Sequence, residues 1–256
     1  MAHSFETLIV AHRGESFDAP ENTLSAINRA WHNGARAVEI DIRLTADNEI
    51  VVIHDKHTGR VGDKKLIVKR SKLHQLKRVD VGIKKSEVFQ GESIPTLYEV
   101  IDTVPFDAKL LIEIKCGKEI VTPLVELLKN IKLKSKQIEI ISFNLEVLIS
   151  IKKNISEHKA LWLLGLDYYL PHWLLKFNPQ KVIKKIKENK LDGVDVWAGR
   201  IISKSFVKAF KAKGLLVYVW TVNDLNNAQK LLAYGVDAIT TDRAEWLTKQ
   251  LAGKER

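Results

Sequence analysis

Cysteine is almost absent: Cys116 is the single one in 256 residues. No intramolecular disulfide can form, and no cysteine pair exists to hold zinc. That usage fits a reducing compartment. Glycine (13) and proline (6) are sparse, and no low-complexity tract occurs, which excludes collagen-like and linker-dominated chains. Long apolar runs are missing too. The most apolar stretch, "ALWLLGLDYYLPHWLLKF" from Ala160, is broken by Gly165, Asp167, Pro171 and His172, so it is not expected to span a membrane. No basic segment followed by an apolar run opens the sequence; no secretory leader is expected, and a cytoplasmic location follows.

What is present is charge and rhythm. Lysine and arginine number 41 against 31 acids, a net charge of +10. The cations recur along the whole chain, so there is no basic tail for nucleic acid, and none is expected as a partner. A diffuse positive field favours anionic partners such as phosphate esters or an anionic membrane surface. The length suits one large core.

Short β-rich apolar runs alternate with amphipathic helical patterns. Strands are expected at Leu8–His12, Ala37–Asp41, Leu110–Lys115, Ile138–Phe143, Ala160–Gly165, Gly193–Trp197, Leu216–Trp220 and Asp237–Thr241. Gly34, Gly214 and Gly235 mark helix ends, and Asn22, Asn144, Ser203 and Asn223 stand where N-caps belong. Eight buried strands separated by helices predict a closed (β/α)8 barrel of the α/β class. The rival open sheet would carry a glycine fingerprint after its first strand, and none is there. One segment breaks the rhythm. "TADNEI" signals a turn at Asp47-Asn48, and "IVVIHD" then returns without a helix. Pairing 46 with 49 sets Asp41 opposite His54. Residues 56–93, rich in lysine and glycine, read as a small insertion after the second strand, within one domain spanning 1–256.

Chemistry in such a barrel gathers where strands end. Those ends carry His12 and Arg13, Glu39 and Asp41, Glu113 and Lys115, and Trp220, with His54 delivered by the hairpin. Residues two apart on a strand share a face, so Glu39 projects with Asp41 and Glu113 with Lys115. Three acids in one barrel mouth repel one another unless a cation compensates. An all-oxygen set suits Mg²⁺ or Ca²⁺ better than zinc. Cys116 should point away from the mouth. His32, His57, His74, His158 and His172 show no ligand spacing.

The blocks "HRGESFDAPENT", "VEIDIRLTADNEIVVIHD", "IPTLYEVI", "LIEIK", "ISFN", "VYVWTVND" and "GVDAITTD" resemble those of the glycerophosphodiester phosphodiesterases, in order, over nearly the whole chain. The resemblance implies a TIM barrel with a small insertion after its second strand. It implies Glu39, Asp41 and Glu113 as ligands of one divalent cation, and His12 and His54 as general acid and base. Arg13 and Lys115 would hold the phosphate, and Trp220 would line the substrate pocket. Glu21 and Asn22 are taken as shaping the mouth and starting the helix. The implied reaction is hydrolysis of a small glycerophosphodiester, such as glycerophosphocholine or glycerophosphoethanolamine, to sn-glycerol 3-phosphate and an alcohol. It would run through a cyclic phosphate or by direct water attack. No stable membrane insertion is expected; the aromatic stretch 164–178 (Tyr168, Tyr169, Trp173, Phe177) is loop packing, an apolar wall for the departing alcohol, or a surface for transient lipid contact. Two other functions remain open: a non-catalytic anion- or membrane-binding barrel, and a lipase that stops at a cyclic product. The choice of cation, the starting base and the oligomeric state are not readable from the residues.

Overall fold

A computed structural model describes residues 7–165 and 178–253. The first strand, β1 (Leu8–His12), is an apolar run that can only be buried. Helix α1 (Leu24–His32) follows and packs Ala26, Ile27 and Ala30 inward. The same alternation continues through β2 (Ala37–Leu44), β4 (Lys109–Ile114), α4 (Val121–Lys129), β5 (Ile138–Ser142), α5 (Leu145–Asn154) and β6 (Lys159–Leu164). It is completed by α6 (Pro179–Glu188), β7 (Gly193–Trp197), α7 (Lys204–Lys211), β8 (Leu216–Trp220), α8 (Leu225–Tyr234), β9 (Ala238–Thr241) and α9 (Ala244–Ala252). Each strand pairs in parallel with its neighbour, and β9 pairs with β1, which pairs with β2, so eight strands close into a barrel. The expected (β/α)8 TIM barrel is what the chain forms.

Strand alternation divides the barrel's two faces. Outward residues such as Ile40, Ile112, Val194 and Val217 join the helices in the large core. Inward residues Val10, Ala37, Leu111, Ile141, Leu161, Leu163, Tyr218 and Ala238 fill the barrel itself. At its amino end Glu139 is buried, accepting from Tyr218 Oη at 2.6 Å and Lys109 Nζ at 2.9 Å.

The hairpin forms, with a correction to its register. The antiparallel strand β3 (Ile50–Val52) pairs Ile42 with Val52 and Leu44 with Ile50, so Asp41 stands opposite Ile53, whose amide donates to Asp41 O at 2.8 Å. The loop has three residues, not two. The Asn48 amide donates back to Thr45 O and Asn48 itself adopts φ 62°, the left-handed position that closes such loops. Thr45 secures it, its Oγ1 accepting from the Glu49 amide and donating to Asp47. Segment 56–93 has only short turns, among them the 3₁₀ turn Thr58–Arg60 and helix α2 (Leu73–Leu76), before α3 (Leu97–Ile101). It packs a small cluster of its own, including Val68, Leu76, Val79 and Val81, against Val51, Ile53 and Ile94. The aromatic stretch 164–178 lies almost wholly outside the described residues. Among them, no helix is long and apolar enough to cross a membrane.

Candidate active site

The carboxyl ends of the strands surround a cavity of about 240 Å³ lined by His12, Arg13, Glu39, His54, Glu113, Lys115 and Trp220 among others. All eight residues expected from the sequence come together there, with Asp41 buried directly behind Arg13 and Lys115. A larger recess at the opposite, amino end of the barrel holds none of them.

Three carboxylates form the floor. Glu39, Asp41 and Glu113 are all buried, and each offers an oxygen within 4.8 Å of the others. Lys115 Nζ lies 3.2 Å from Asp41 Oδ1 and 2.5 Å from Glu113 Oε1, while Arg13 Nε lies 3.0 Å from Asp41 Oδ2. The three acids titrate differently. Burial opposes the charge on each. At Asp41, Lys115 and Arg13 outweigh it and hold the carboxyl well below its ordinary range. At Glu113, burial and the Asp41 charge prevail, pushing it up to about 7. Glu39 is raised by burial and both neighbouring acids, and its Oε1 has no hydrogen-bond partner. Such a buried, unpaired oxygen beside two further carboxylates is the donor set a hard divalent cation fits.

Both imidazoles are braced from behind. His12 Nδ1 lies 2.6 Å from Asp242 Oδ1, and His54 Nδ1 lies 2.6 Å from Asp55 Oδ1. Burial would raise both aspartates, but their hydrogen bonds outweigh it and hold each at about 2. An ionised carboxylate only accepts, so Nδ1 carries the proton on both rings and Nε2 is left to exchange protons. Burial also lowers the pKa of His54, favouring its neutral form.

The backbone is shaped to serve these groups. Arg13 adopts φ 58°, and its amide donates to Glu39 Oε2 at 3.0 Å. Gly14 follows at φ 82°; a Cβ there would lie 2.5 Å from the Ala26 carbonyl carbon, so only glycine lets α1 approach this closely. Arg43, on β2, donates from Nε to His54 O and from Nη1 to Lys115 O, tying together the segments that follow the returning hairpin strand and β4.

Two asparagines expected as helix caps are displaced by one residue. Thr23 caps α1 and Asp224 caps α8. Freed from that role, Asn22 grips Asp41, donating from Nδ2 to Oδ2 at 2.8 Å and accepting from the Asp41 amide at 3.0 Å. Asn223 donates to Asp242 Oδ2 at 2.6 Å. Asn144 and Ser203 do cap their helices.

Sequence reasoning missed the braces Asp55 and Asp242, though each sits inside a motif already singled out, next to a histidine or at a strand end. It also missed Phe143, whose ring lies 5.7 Å from that of Trp220 and extends the aromatic wall with Trp197. Asp195, on β7, also lines the cavity, apart from the carboxylate trio, with an unpaired Oδ1 and its carboxyl raised by burial. An aspartate inside an apolar strand, "GVDVW", was the available signal.

The model of the glycerophosphoryl diester phosphodiesterase family matches residues 12–246. The chain belongs to that family. It is 34% identical over 246 residues to the glycerophosphodiester phosphodiesterase of Caldanaerobacter subterraneus subsp. tengcongensis, covering 94% of this chain and 96% of the relative. The corresponding enzyme of Bacillus altitudinis is 32% identical, covering 92% and 94%. An Oleispira antarctica phosphodiesterase, solved in complex with the product sn-glycerol-3-phosphate, superposes with a TM-score of 0.84 at 28% identity, covering 98% of each chain. Membership makes this chain a phosphoric diester hydrolase.

Proposed function

We propose that the protein hydrolyses glycerophosphodiesters, glycerophosphocholine and glycerophosphoethanolamine among them, to sn-glycerol 3-phosphate and an alcohol. His12 and His54 exchange the protons. The carrying observation is the convergence on one cavity of two carboxylate-braced imidazoles, three acids and two cations. The product bound by the Oleispira relative supports the same reading.

Glu39, Asp41 and Glu113 hold one divalent cation, Mg²⁺ or Ca²⁺ by the all-oxygen donor set; when bound it supplies positive charge against the phosphate. Arg13 offers a planar fork to two phosphate oxygens and Lys115 a point charge. The glycerol 2-hydroxyl attacks phosphorus while Nε2 of one histidine takes its proton. The bond to the departing alcohol breaks, and the other histidine, protonated, gives that oxygen its proton. A cyclic phosphate results. Water then attacks phosphorus with the histidines' roles reversed, and the ring opens at the 2-oxygen. Intramolecular attack gains from proximity, with effective molarities on the order of 10⁵ M. Trp220 and Phe143 pack against the departing group. The site takes small soluble substrates in the cytoplasm, with lipid contact no more than transient.

Phosphorus NMR of products from glycerophosphocholine and from a lysophospholipid tests this, in EDTA and with Mg²⁺ or Ca²⁺ restored. Glycerol 3-phosphate should appear from glycerophosphocholine, disappear in EDTA and return with the cation. A cyclic end product from the lysophospholipid would favour the lipase, and no product from either substrate the binding module. Normal turnover of a substrate without the 2-hydroxyl would overturn the cyclic route.

A further inference from the structure

The segment between β3 and α2 contributes a side chain that touches both halves of the site. Arg60 Nε lies 2.8 Å from Asp55 Oδ2, and its two terminal nitrogens lie 2.7 Å from the two oxygens of Glu21. Each of those acids turns to the site as well. Asp55 Oδ1 meets His54 Nδ1 at 2.6 Å, and Glu21 Oε1 accepts from Arg13 Nη1 at 2.9 Å. A single guanidinium therefore closes a chain running from His54 through Asp55, Arg60 and Glu21 to Arg13.

We propose that Arg60 is a positioning residue for the reaction, holding His54 through Asp55 and Arg13 through Glu21. The inference rests on the roles assigned above to His54 and Arg13. Its physical basis is the shape of the group. Three donors in one plane serve two carboxylates at once, and a lysine's point charge cannot reproduce that fork. Its anchor is firm. The turn Thr58–Arg60 starts at a buried threonine whose carbonyl accepts from the Val61 and Gly62 amides, and the Thr58 amide donates to Leu66 O. Without Arg60, Asp55 keeps one partner and can swing, and His54 loses its fixed orientation. Glu21 is left with Arg13 as its partner cation and competes with the phosphate for it. An alternative reading treats Arg60, with 45% of its side chain exposed, as an ordinary surface ion pair with little effect on anything. The two readings differ in what they predict.

The test compares wild type, Arg60→Ala, Arg60→Lys, Asp55→Asn and the Arg60→Ala/Asp55→Asn double variant on glycerophosphocholine with saturating cation. Arg60→Ala should lose about 10–100-fold in kcat/KM, the range typical of groups that orient site residues, with kcat lowered and KM raised and the thermal midpoint little moved. Arg60→Lys should resemble Arg60→Ala. Guanidinium ion at millimolar concentration should restore part of the activity of Arg60→Ala and none of that of Asp55→Asn. In the Asp55→Asn background, removing Arg60 should leave kcat nearly unchanged, because both act on kcat through the His54 ring, while KM still rises through Glu21 and Arg13. A second readout needs no turnover: the downfield proton NMR signal of His54 Nδ1–H should be present in wild type and broadened or lost in Arg60→Ala, while that of His12 persists. Activity of Arg60→Ala within twofold of wild type, or an unchanged His54 signal, would overturn the proposal. Lack of turnover by wild type would instead overturn the function, with the His54 signal still deciding the role of Arg60.

Discussion

Asp242 does not line the cavity, yet it decides which nitrogen of His12 faces the cavity. In Asp242→Asn the new amide can present its own N–H to Nδ1, which drives the ring proton onto Nε2 and leaves His12 unable to accept one there. We expect kcat to fall by about 10²-fold or more while the thermal midpoint moves little. A kcat within a few-fold of wild type would mean that His12 is oriented by something else. Glu15 carries a different kind of prediction. It is 1% exposed, and burial raises its carboxyl to about 7 from an ordinary 4.5. Between those values the folded protein binds a proton that the unfolded chain has released, so stability falls as pH rises through that window. Glu15→Gln removes this group's contribution. The variant should gain on wild type between pH 4.5 and 7, by about 3 kcal/mol at the upper end, and hold that advantage above it. Urea midpoints at pH 4.5 and 8 measure it; a gap that stayed constant would refute the assignment.

Among the elements, the β2–β3 hairpin shows what a sequence can and cannot specify. The turn residues and the returning apolar run are legible, and so is the arrival of a histidine beside the acids. The register is not, because "TADNEI" suits a two-residue or a three-residue loop equally, and only the contacts of Thr45 and the left-handed Asn48 choose the longer one. The same limit explains the displaced caps. Asn22 and Asn223 stand one residue before Thr23 and Asp224, all three residue types cap helices well, and the choice falls to whichever leaves an asparagine free to grip a carboxylate of the site. Eight parallel strands were readable because each is an apolar run of the right length. Braces such as Asp242 were not, because their partners lie on other elements. Asn48 makes the hairpin testable. A glycine there takes the left-handed conformation freely, so Asn48→Gly should keep full stability and activity. A β-branched residue cannot, and Asn48→Val should lose about 1–2 kcal/mol in urea unfolding. Because this loop sets the path of the chain to His54, kcat should fall with it; an Asn48→Val protein as stable and active as wild type would show that the loop does not set the register.

Across the whole molecule, the barrel interior is apolar in its middle layers and ionic at both rims. At the amino rim the ledger of charge is settled within the protein, since Glu139 is met by Lys109 and Tyr218. At the carboxyl rim it is not. Three buried acids face two cations, Arg13 and Lys115, and the oxygen of Glu39 that lacks a partner marks the deficit. Folding brings these acids together, so the folded chain offers a candidate cation site that the unfolded chain does not. A ligand that binds only the folded state stabilises it by RT ln(1 + [L]/Kd), about 2.7 kcal/mol at a hundred times Kd. For a chain of this size that corresponds to a rise of roughly 5–10 °C in thermal midpoint. Mg²⁺ or Ca²⁺ added to EDTA-stripped protein should produce such a rise at constant ionic strength, with no substrate present. Asp41→Asn should abolish it, since Asp41 is the one acid of the three that its neighbours keep fully ionised. An equal rise in wild type and in Asp41→Asn would place the cation elsewhere on the protein, and the carboxylate trio would then be a structural cluster rather than the metal centre.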